Sequence, residues 1–295
     1  MRLRILKDRW IRITFRTLLL LTLSLVVLIG IGLFIKSLPL LKDQNIFLIL
    51  TGSTWSPLKG QFGFLPFITG TVSVTLIALI IAAPLCILSS IYLVEYASDI
   101  LKKTVLPLIN VLAAIPPVLY GVWGILFVVP LISNYIGPAF GNNSSGYSIL
   151  SGGIVLAVMI FPIMISIMVE VLQTIPPDLK AASLSLGATR WETIQKVILK
   201  KVRPGIIAAI VLATSRAFGE TIAVLMVCGN IPQIPKSLFD AGYPIPALIA
   251  NNFGEMMSIP HYDAALMFAA LLLLAIIFLF NLISRLILNK LEEKA

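Results

Sequence analysis

Charge is scarce in this chain. Only 12% of its 295 residues are Asp, Glu, Lys or Arg, while 59% are apolar; an ordinary soluble domain carries about 25% charged residues. That deficit excludes a water-soluble globule and points to a membrane protein. Histidine occurs once, at His261, which leaves no imidazole cluster for a metal. Both cysteines, Cys86 and Cys228, sit in apolar runs and read as small core residues rather than a disulfide. No GxxxxGK[ST] phosphate loop is present, so any nucleotide that powers this chain's work is hydrolysed on another subunit. No Ala-x-Ala-like cleavage site follows the first apolar run, which at about 19 residues also exceeds a secretory h-region. It reads as a retained helix.

Crossing a bilayer takes about 20 apolar residues, and six segments qualify. Thr17–Ile35 is the first, and Ile68–Val94, within the charge-free stretch Gly60–Val94, is the second. Thr104–Val169 holds no charge and is too long for one helix; the Gly-, Pro-, Asn- and Ser-rich stretch Ser133–Tyr147 divides it as an exposed loop, leaving Leu106–Ile132 and Ile149–Leu172. Gly205–Cys228 and Ala264–Ser284 complete the set. With six spans the basic residues gather on one side. Arg2, Arg4, Lys7, Arg9, Arg12 and Arg16 precede or enter the first span, Lys102 and Lys103 follow the second, Lys180, Arg190, Lys196, Lys200, Lys201 and Arg203 follow the fourth, and Arg285, Lys290 and Lys294 follow the sixth. Only Lys36, Lys42, Lys59 and Lys236 fall opposite. The positive-inside rule makes the rich side, with both termini, cytoplasmic. The net charge of +9 therefore belongs to membrane topology, not to a nucleic-acid surface.

Two charges lie inside a span. Arg216 and Glu220 are four residues apart in Gly205–Cys228, and on a continuous helix that spacing puts them on one face within reach of an ion pair. A charge near the bilayer centre costs about 2.5–3.5 kcal/mol on insertion scales, so such a stripe faces protein or a water-filled path. The pair is either a packing device or part of a solute pathway. Ser215, Thr214 and Thr221 add hydroxyls whose simplest use is helix–helix or backbone hydrogen bonding, with substrate contact the alternative. Pro116-Pro117 should kink the third span and free carbonyls that neighbours or water must satisfy. Tyr120 and Trp123 read as packing or interfacial aromatics. Glu95, Asp99 and Glu170 read as solvated charges near the cytoplasmic surface.

The loop between the fourth and fifth spans is built with care. Pro176-Pro177-Asp178 opens a short helix, with proline in its first turn and an acid at its positive end. That helix, Asp178–Leu186, runs to Gly187, a natural terminator. Thr189-Arg190-Trp191-Glu192 reads as a capping box restarting a second helix, with Trp191, Ile194 and Ile198 as an apolar stripe opposite Lys196 and Lys200. The pattern fits an interfacial helix on anionic lipid or a docking element for a cytoplasmic partner.

The segment Ala181–Lys200 resembles the EAA loop of ABC-importer permeases, whose pattern is EAA, three residues, Gly, nine residues, then I-x-L-P. With Gly187 as anchor, Ala182 and Leu199 match and Val197 is a mild change; Ala181 stands where the Glu would be, Ser183 replaces an Ala and Lys200 replaces the Pro. In that family the loop inserts into a groove on the ATPase subunit. The stretch Arg216–Asn230 resembles the RAxGETxAVxxVxGN signature of phosphate-specific transport permeases of the PstC type, and the sister PstA type has Pro soon after its GET where this chain has Ala223-Val224. Ala114–Gly124 resembles the AIPSVxYGxWG segment of that family, and Ile91–Ser98 and His261–Leu266 also match.

This resemblance implies an all-α membrane protein with the type I ABC importer permease fold and six transmembrane helices. Its expected parts are a cytoplasmic tail at 1–16, a first span at 17–35, an extracytoplasmic segment at 36–67, a five-helix core at 68–284 with an ATPase-docking loop at 173–203, and a cytoplasmic tail at 285–295. The docking residues it implies are Asp178, Ala181, Ala182, Gly187, Ala188, Thr189, Trp191 and Glu192. The chain itself binds no cofactor, and ATP is expected on the partner. Implied partners are a PstA-type sister permease, two PstB-type ATPase subunits, a PstS-type phosphate-binding protein and membrane lipid, without nucleic acid. The outer segments Lys36–Phe67 and Asn230–His261 would shape the mouth that meets the binding protein. The implied cargo is inorganic phosphate, with molybdate or sulfate as alternatives, and an ion-coupled secondary transporter is the rival of another class. The fixed charge and planar fork of Arg216 suit phosphate oxygens. On this reading Glu220 holds Arg216 until phosphate transiently takes its place, and Arg216, Glu220, Thr221 and Ser215 line the pathway.

Overall fold

The computed structural model describes residues 2–254 and 259–292, and the side chains of 2–6, 8, 9, 291 and 292 lie outside that description. Arg2, Arg4, Arg9 and Lys294, which entered the charge count, therefore fall outside the described side chains. The remaining chain is helical almost throughout. Its helices are α1 (Arg2–Asp43), α2 (Ile46–Thr51), α3 (Leu65–Ile91), α4 (Asp99–Ala113), α5 (Pro117–Ala139), α6 (Ile149–Gln173), α7 (Pro177–Ser185), α8 (190–218), α9 (Ile222–Val227), α10 (Ile245–Asn252) and α11 (Tyr262–Glu292). A hairpin of two short antiparallel strands, Trp55–Ser56 and Gln61–Phe62, sits between α2 and α3.

Five of these helices are long and apolar enough to cross a membrane: 10–43 within α1, α3 with its extension to Tyr96, α5, α6 and α11. The expected third and fifth spans are each divided. Where Leu106–Ile132 was expected as one helix, α4 ends at Ala113, the chain turns through Ala114–Pro116, and α5 restarts at Pro117 and continues to Ala139, into the stretch expected as loop. Pro116 and Pro117 cannot donate the amides a continuous helix needs, so the helix divides rather than bends. Gly205–Cys228 is divided at Gly219–Thr221, between α8 and α9. The second loop helix is not a separate piece either: it runs from Arg190 through a π-helical turn at Ile194–Ile198 straight into the stretch expected as the fifth span.

The central core is small side chains between close helices. Val74, Ala78, Ala82 and Cys86 of α3 pack with Leu156, Ile160, Met164 and Met168 of α6 and with Ala209, Ala213 and Ala217 of α8. Gly152 and Gly153 make this approach possible, because a Cβ on Gly153 would collide with Ile77 and one on Gly152 with the Cys228 sulfur. Close backbone approach is how helices associate where lipid provides no hydrophobic drive. A second, aromatic cluster closes the end where α3 begins: Trp55 meets Phe62, Phe64 and Phe67 edge-on at centroid distances of 5.4, 5.3 and 4.8 Å. At the opposite end Leu93, Ala97, Ile109 and Val169 form a third cluster that seats α4 against α3 and α6. α1 stands apart, packed on α11, and no residue in its most apolar 18-residue window is buried.

Gly153→Val tests the close approach of α3 and α6. Overpacking of this kind costs about 1–3 kcal/mol, so the purified protein is expected to melt at a lower temperature in detergent, while Gly30→Val, with open space around it, leaves the melt unchanged.

Candidate functional site

The break between α8 and α9 is where the sequence placed its charged pair. α8 closes with the Gly219 N–H donating to the Arg216 carbonyl at 3.2 Å and the Glu220 N–H to the Ala217 carbonyl at 3.2 Å. Thr221 then adopts φ −111° and ψ −61°, and α9 begins at Ile222. A helix start exposes amides without partners; the Glu220 carboxylate accepts one of them, from the Ala223 N–H at 3.3 Å. Glu220 is thus turned towards the next helix. Arg216 and Glu220 form no ion pair, which corrects the expectation drawn from their spacing: the four-residue rule needs a continuous helix, and this one ends between them.

Arg216 occupies the last turn of α8, where free carbonyls favour a cation. Its side chain is exposed, and among the described residues it has no hydrogen bond or salt bridge. It lies within electrostatic reach of Tyr120 in the first turn of α5. The Tyr120 hydroxyl donates to the Leu112 carbonyl at 2.8 Å, joining the Ile115 N–H at 3.2 Å on an acceptor that lost its helical partner to Pro116. The two interrupted helices meet here, for Gly121 lies against Ala223 and Met226 so closely that a Cβ would come within 3.3 Å of the Ala223 Cα.

The hydroxyls behave structurally. Thr214 donates to the Ile210 carbonyl at 2.6 Å and Thr221 to the Gly219 carbonyl at 3.2 Å. Ser215 donates to Asn281 Oδ1 at 2.8 Å and so ties α8 to α11. Sequence reasoning missed Asn281, although a lone amide in the apolar run of the last span is itself a signal. It also missed the use of the Tyr120 hydroxyl, for which the sequence holds no cue.

The loop between α6 and α8 forms largely as its residues dictate. Pro177 opens α7 with Asp178 in its first turn, and Gly187 takes φ +80°, a conformation strained for any side chain. The capping box is complete: the Thr189 N–H donates to Glu192 Oε2 at 3.0 Å and the Glu192 N–H to Thr189 Oγ1 at 3.2 Å. The expected apolar stripe is corrected. Ile194 and Ile198 are 2% and 1% exposed, but Trp191 is 51% exposed, because the helix continues into the packed core and buries the residues one turn further on. Trp191, Leu179, Leu184 and Leu186 present an uncovered apolar surface, with Ala181, Ala182 and Thr189 exposed and Ala188 half-buried beside them.

Two polar contacts hold α7, and sequence reasoning found neither. Ser183 Oγ lies 2.9 Å from Thr193 Oγ1 of α8. Lys180 Nζ lies 2.5 Å from Glu95 Oε1, at the end of the second span, so Glu95 is paired rather than merely solvated.

Thr189→Ala tests the capping box: loss of an N-cap costs about 0.5–2 kcal/mol, and amide protection at Glu192 and Thr193, whose N–H groups both bond to Thr189, is expected to fall by hydrogen exchange. The Thr189 backbone N–H, then Lys196 and the Thr189 hydroxyl, pull the Glu192 pKa down from 4.5 to about 2. A depressed acid stabilises fully above its unfolded pKa and less as pH falls towards the folded value. Protection is therefore expected to be flat at neutral and mildly acidic pH and to decline only below the usual glutamate range.

Comparison with known proteins agrees with this architecture. Residues 87–293 match the family described as "Binding-protein-dependent transport system inner membrane component". The Bacillus subtilis "Probable ABC transporter permease protein YqgH" is 39% identical over 80% of this chain and 75% of its own. The Haemophilus influenzae "Phosphate transport system permease protein PstC" is 36% identical over 81% and 80%, and the Methanocaldococcus jannaschii "Probable phosphate transport system permease protein PstC" is 36% identical over 85% and 84%. Among solved structures, an inward-facing MetNI methionine ABC transporter chain superposes with TM-score 0.55 at 19% identity, over 78% of this chain and 94% of that one. That likeness carries the fold alone: a type I ABC importer permease. With a family match across most of its length and relatives above 30% identity over four fifths of it, the chain belongs to the inner-membrane permease family of binding-protein-dependent transport systems.

Proposed function

We propose that this chain is the PstC-type permease of an ATP-driven importer that brings inorganic phosphate into the cytoplasm. The observation that carries the reading is the free guanidinium of Arg216 at the junction of two interrupted helices, in a chain whose relatives at 36% identity are named phosphate transport permeases. An arginine fork matches the oxygens of a tetrahedral anion and stays charged when desolvated. Because Glu220 is engaged with Ala223, the anion need not displace a carboxylate to reach Arg216. Ser215 and Thr221 support this site by fixing the backbone on either side of it.

The remaining parts follow from the same reading. The exposed face of α7 and Trp191 docks a PstB-type ATPase, the extracytoplasmic aromatic end meets a PstS-type binding protein, and a PstA-type sister completes the pathway. The uncovered apolar length of α1 faces lipid or that sister. Both termini lie in the cytoplasm, where the basic residues gather.

The test is uptake of labelled phosphate by vesicles holding all partners. Arsenate is expected to compete and sulfate to have no effect; sulfate or molybdate uptake in place of phosphate would overturn the cargo. A hydrogen bond to a charged group contributes about 1.5–3 kcal/mol, so Arg216→Gln is expected to cut uptake by about tenfold or more, with the complex still assembled. Normal uptake by that variant sinks the role given to Arg216.

A further inference from the structure

We propose that the Glu95–Lys180 ion pair is a positioning element that makes the docking helix α7 and the cytoplasmic end of the second span move as one body. The inference rests on the transporter reading above. Glu95 lies in the π-helical turn Tyr92–Tyr96 that ends the second span, and Lys180 lies in the first turns of α7. The contact closes at 2.5 Å between residues 85 positions apart, joining elements with no shared turn or loop. It is sheltered: the carboxylate side chain is 14% exposed and the lysine 28%, against 41% and 65% for Glu192–Lys196 on the open surface of the same loop. Solvent and salt screen a sheltered pair much less than an open one.

The surroundings give the pair its work. A cleft of about 220 Å³ lies here, lined by Glu95, Tyr96, Lys180, Leu184, Arg190 and Ile194, so apolar packing does not fill this corner. From the other side Lys102 Nζ donates to the Val94 carbonyl at 3.0 Å, so lysines from α4 and α7 both grip the last turn of the second span. α7 is fastened to α8 by the Ser183–Thr193 hydroxyl pair. Beyond the covalent connections to α6 and α8, a force applied to the exposed leucines of α7 therefore has two side-chain exits: through hydroxyls to α8, and through the ion pair to the second span. In the EAA-like pattern this chain has Ala181 at the acidic position and Ser183 at an alanine; the acid that anchors α7 comes instead from another helix.

The experiment uses the complete transporter in vesicles. Glu95→Gln and Lys180→Met are expected to leave assembly intact and basal ATP hydrolysis within about twofold, while phosphate taken up per ATP falls about fivefold or more; the reversal Glu95→Lys/Lys180→Glu is expected to recover most of that loss, as coupled neighbours do in a double-mutant cycle. Recovery on charge reversal separates a positional link from a general loss of fold. An unchanged uptake-to-ATP ratio in both single variants, or a reversal no better than the worse single, overturns the proposal. A second arm does not depend on the cargo. Cys86 and Cys228 are buried, and Tyr96 and Leu184 line the same cleft, so Tyr96→Cys/Leu184→Cys supplies accessible thiols for a short bifunctional crosslinker while the ion pair stays in place. Bridging with and without nucleotide is expected; bridging in one nucleotide state only overturns the single-body link. If unaltered vesicles hydrolyse ATP but take up no phosphate, the cargo assignment fails, and the bridging result still decides the link.

Discussion

A backbone amide or carbonyl stranded in hydrocarbon costs several kcal/mol, so every interruption of a membrane helix must bring its own hydrogen-bond partner. This chain has two interruptions side by side, and the side chains around them are assigned by that constraint before any cargo is considered. Where α4 stops, the Tyr120 hydroxyl is committed to the Leu112 carbonyl. Where α9 starts, the Glu220 carboxylate is committed to the Ala223 amide. Among the described residues around the breaks, the one left uncommitted is Arg216, on the last turn of α8. The free cation is thus a consequence of how the breaks are repaired, not a separate feature added to them.

The same logic explains what was legible in the residues. Hydropathy found stretches that overlap all five described helices long and apolar enough to cross a membrane, because the bilayer enforces length and apolarity with little latitude, and Ile149–Leu172 differs from α6 by a single residue. The capping box at Thr189 and the terminator at Gly187 were legible because such local chemistry is written within a few residues. The break at Gly219–Thr221 was not. A lone glycine in an apolar helix is usually tolerated, and nothing in the spacing of Arg216 and Glu220 separates an ion pair from a terminal turn followed by a cap. Long-range partners were the other blind spot: Glu95 with Lys180 and Ser215 with Asn281 depend on which helices become neighbours.

Continuity of α8 joins the two regions with a proposed function. The helix that begins in the capping box at Thr189 is the one whose last turn carries Arg216, without an intervening loop. At about 1.5 Å per residue, Glu192 and Arg216 are roughly 36 Å apart along one rod. Its two irregularities, the π turn at Ile194–Ile198 and Pro204, both precede the stretch of Ala209, Ala213 and Ala217 that packs against the core. Such features are where helices bend. Bending is therefore concentrated near the loop, and the segment that carries Arg216 is regular and clasped by Ser215 to Asn281.

That arrangement decides how a displacement at the proposed docking surface would be felt. A rod clasped to α11 near its far end and irregular near the loop converts a shift at the loop into tilt or rotation, rather than into local unfolding. Arg216 sits just beyond the clasp and just before the break, so its guanidinium is swung by such a tilt, while Glu220, on the other side of Gly219, stays with α9. Separate attachment of the two charges is what an ion pair on one continuous helix would have prevented: a paired arginine would travel with its carboxylate and keep its charge masked throughout. The break at Gly219 lets the cation move relative to the acid, and this, more than the presence of either charge, is what the proposed passage of an anion through the junction requires.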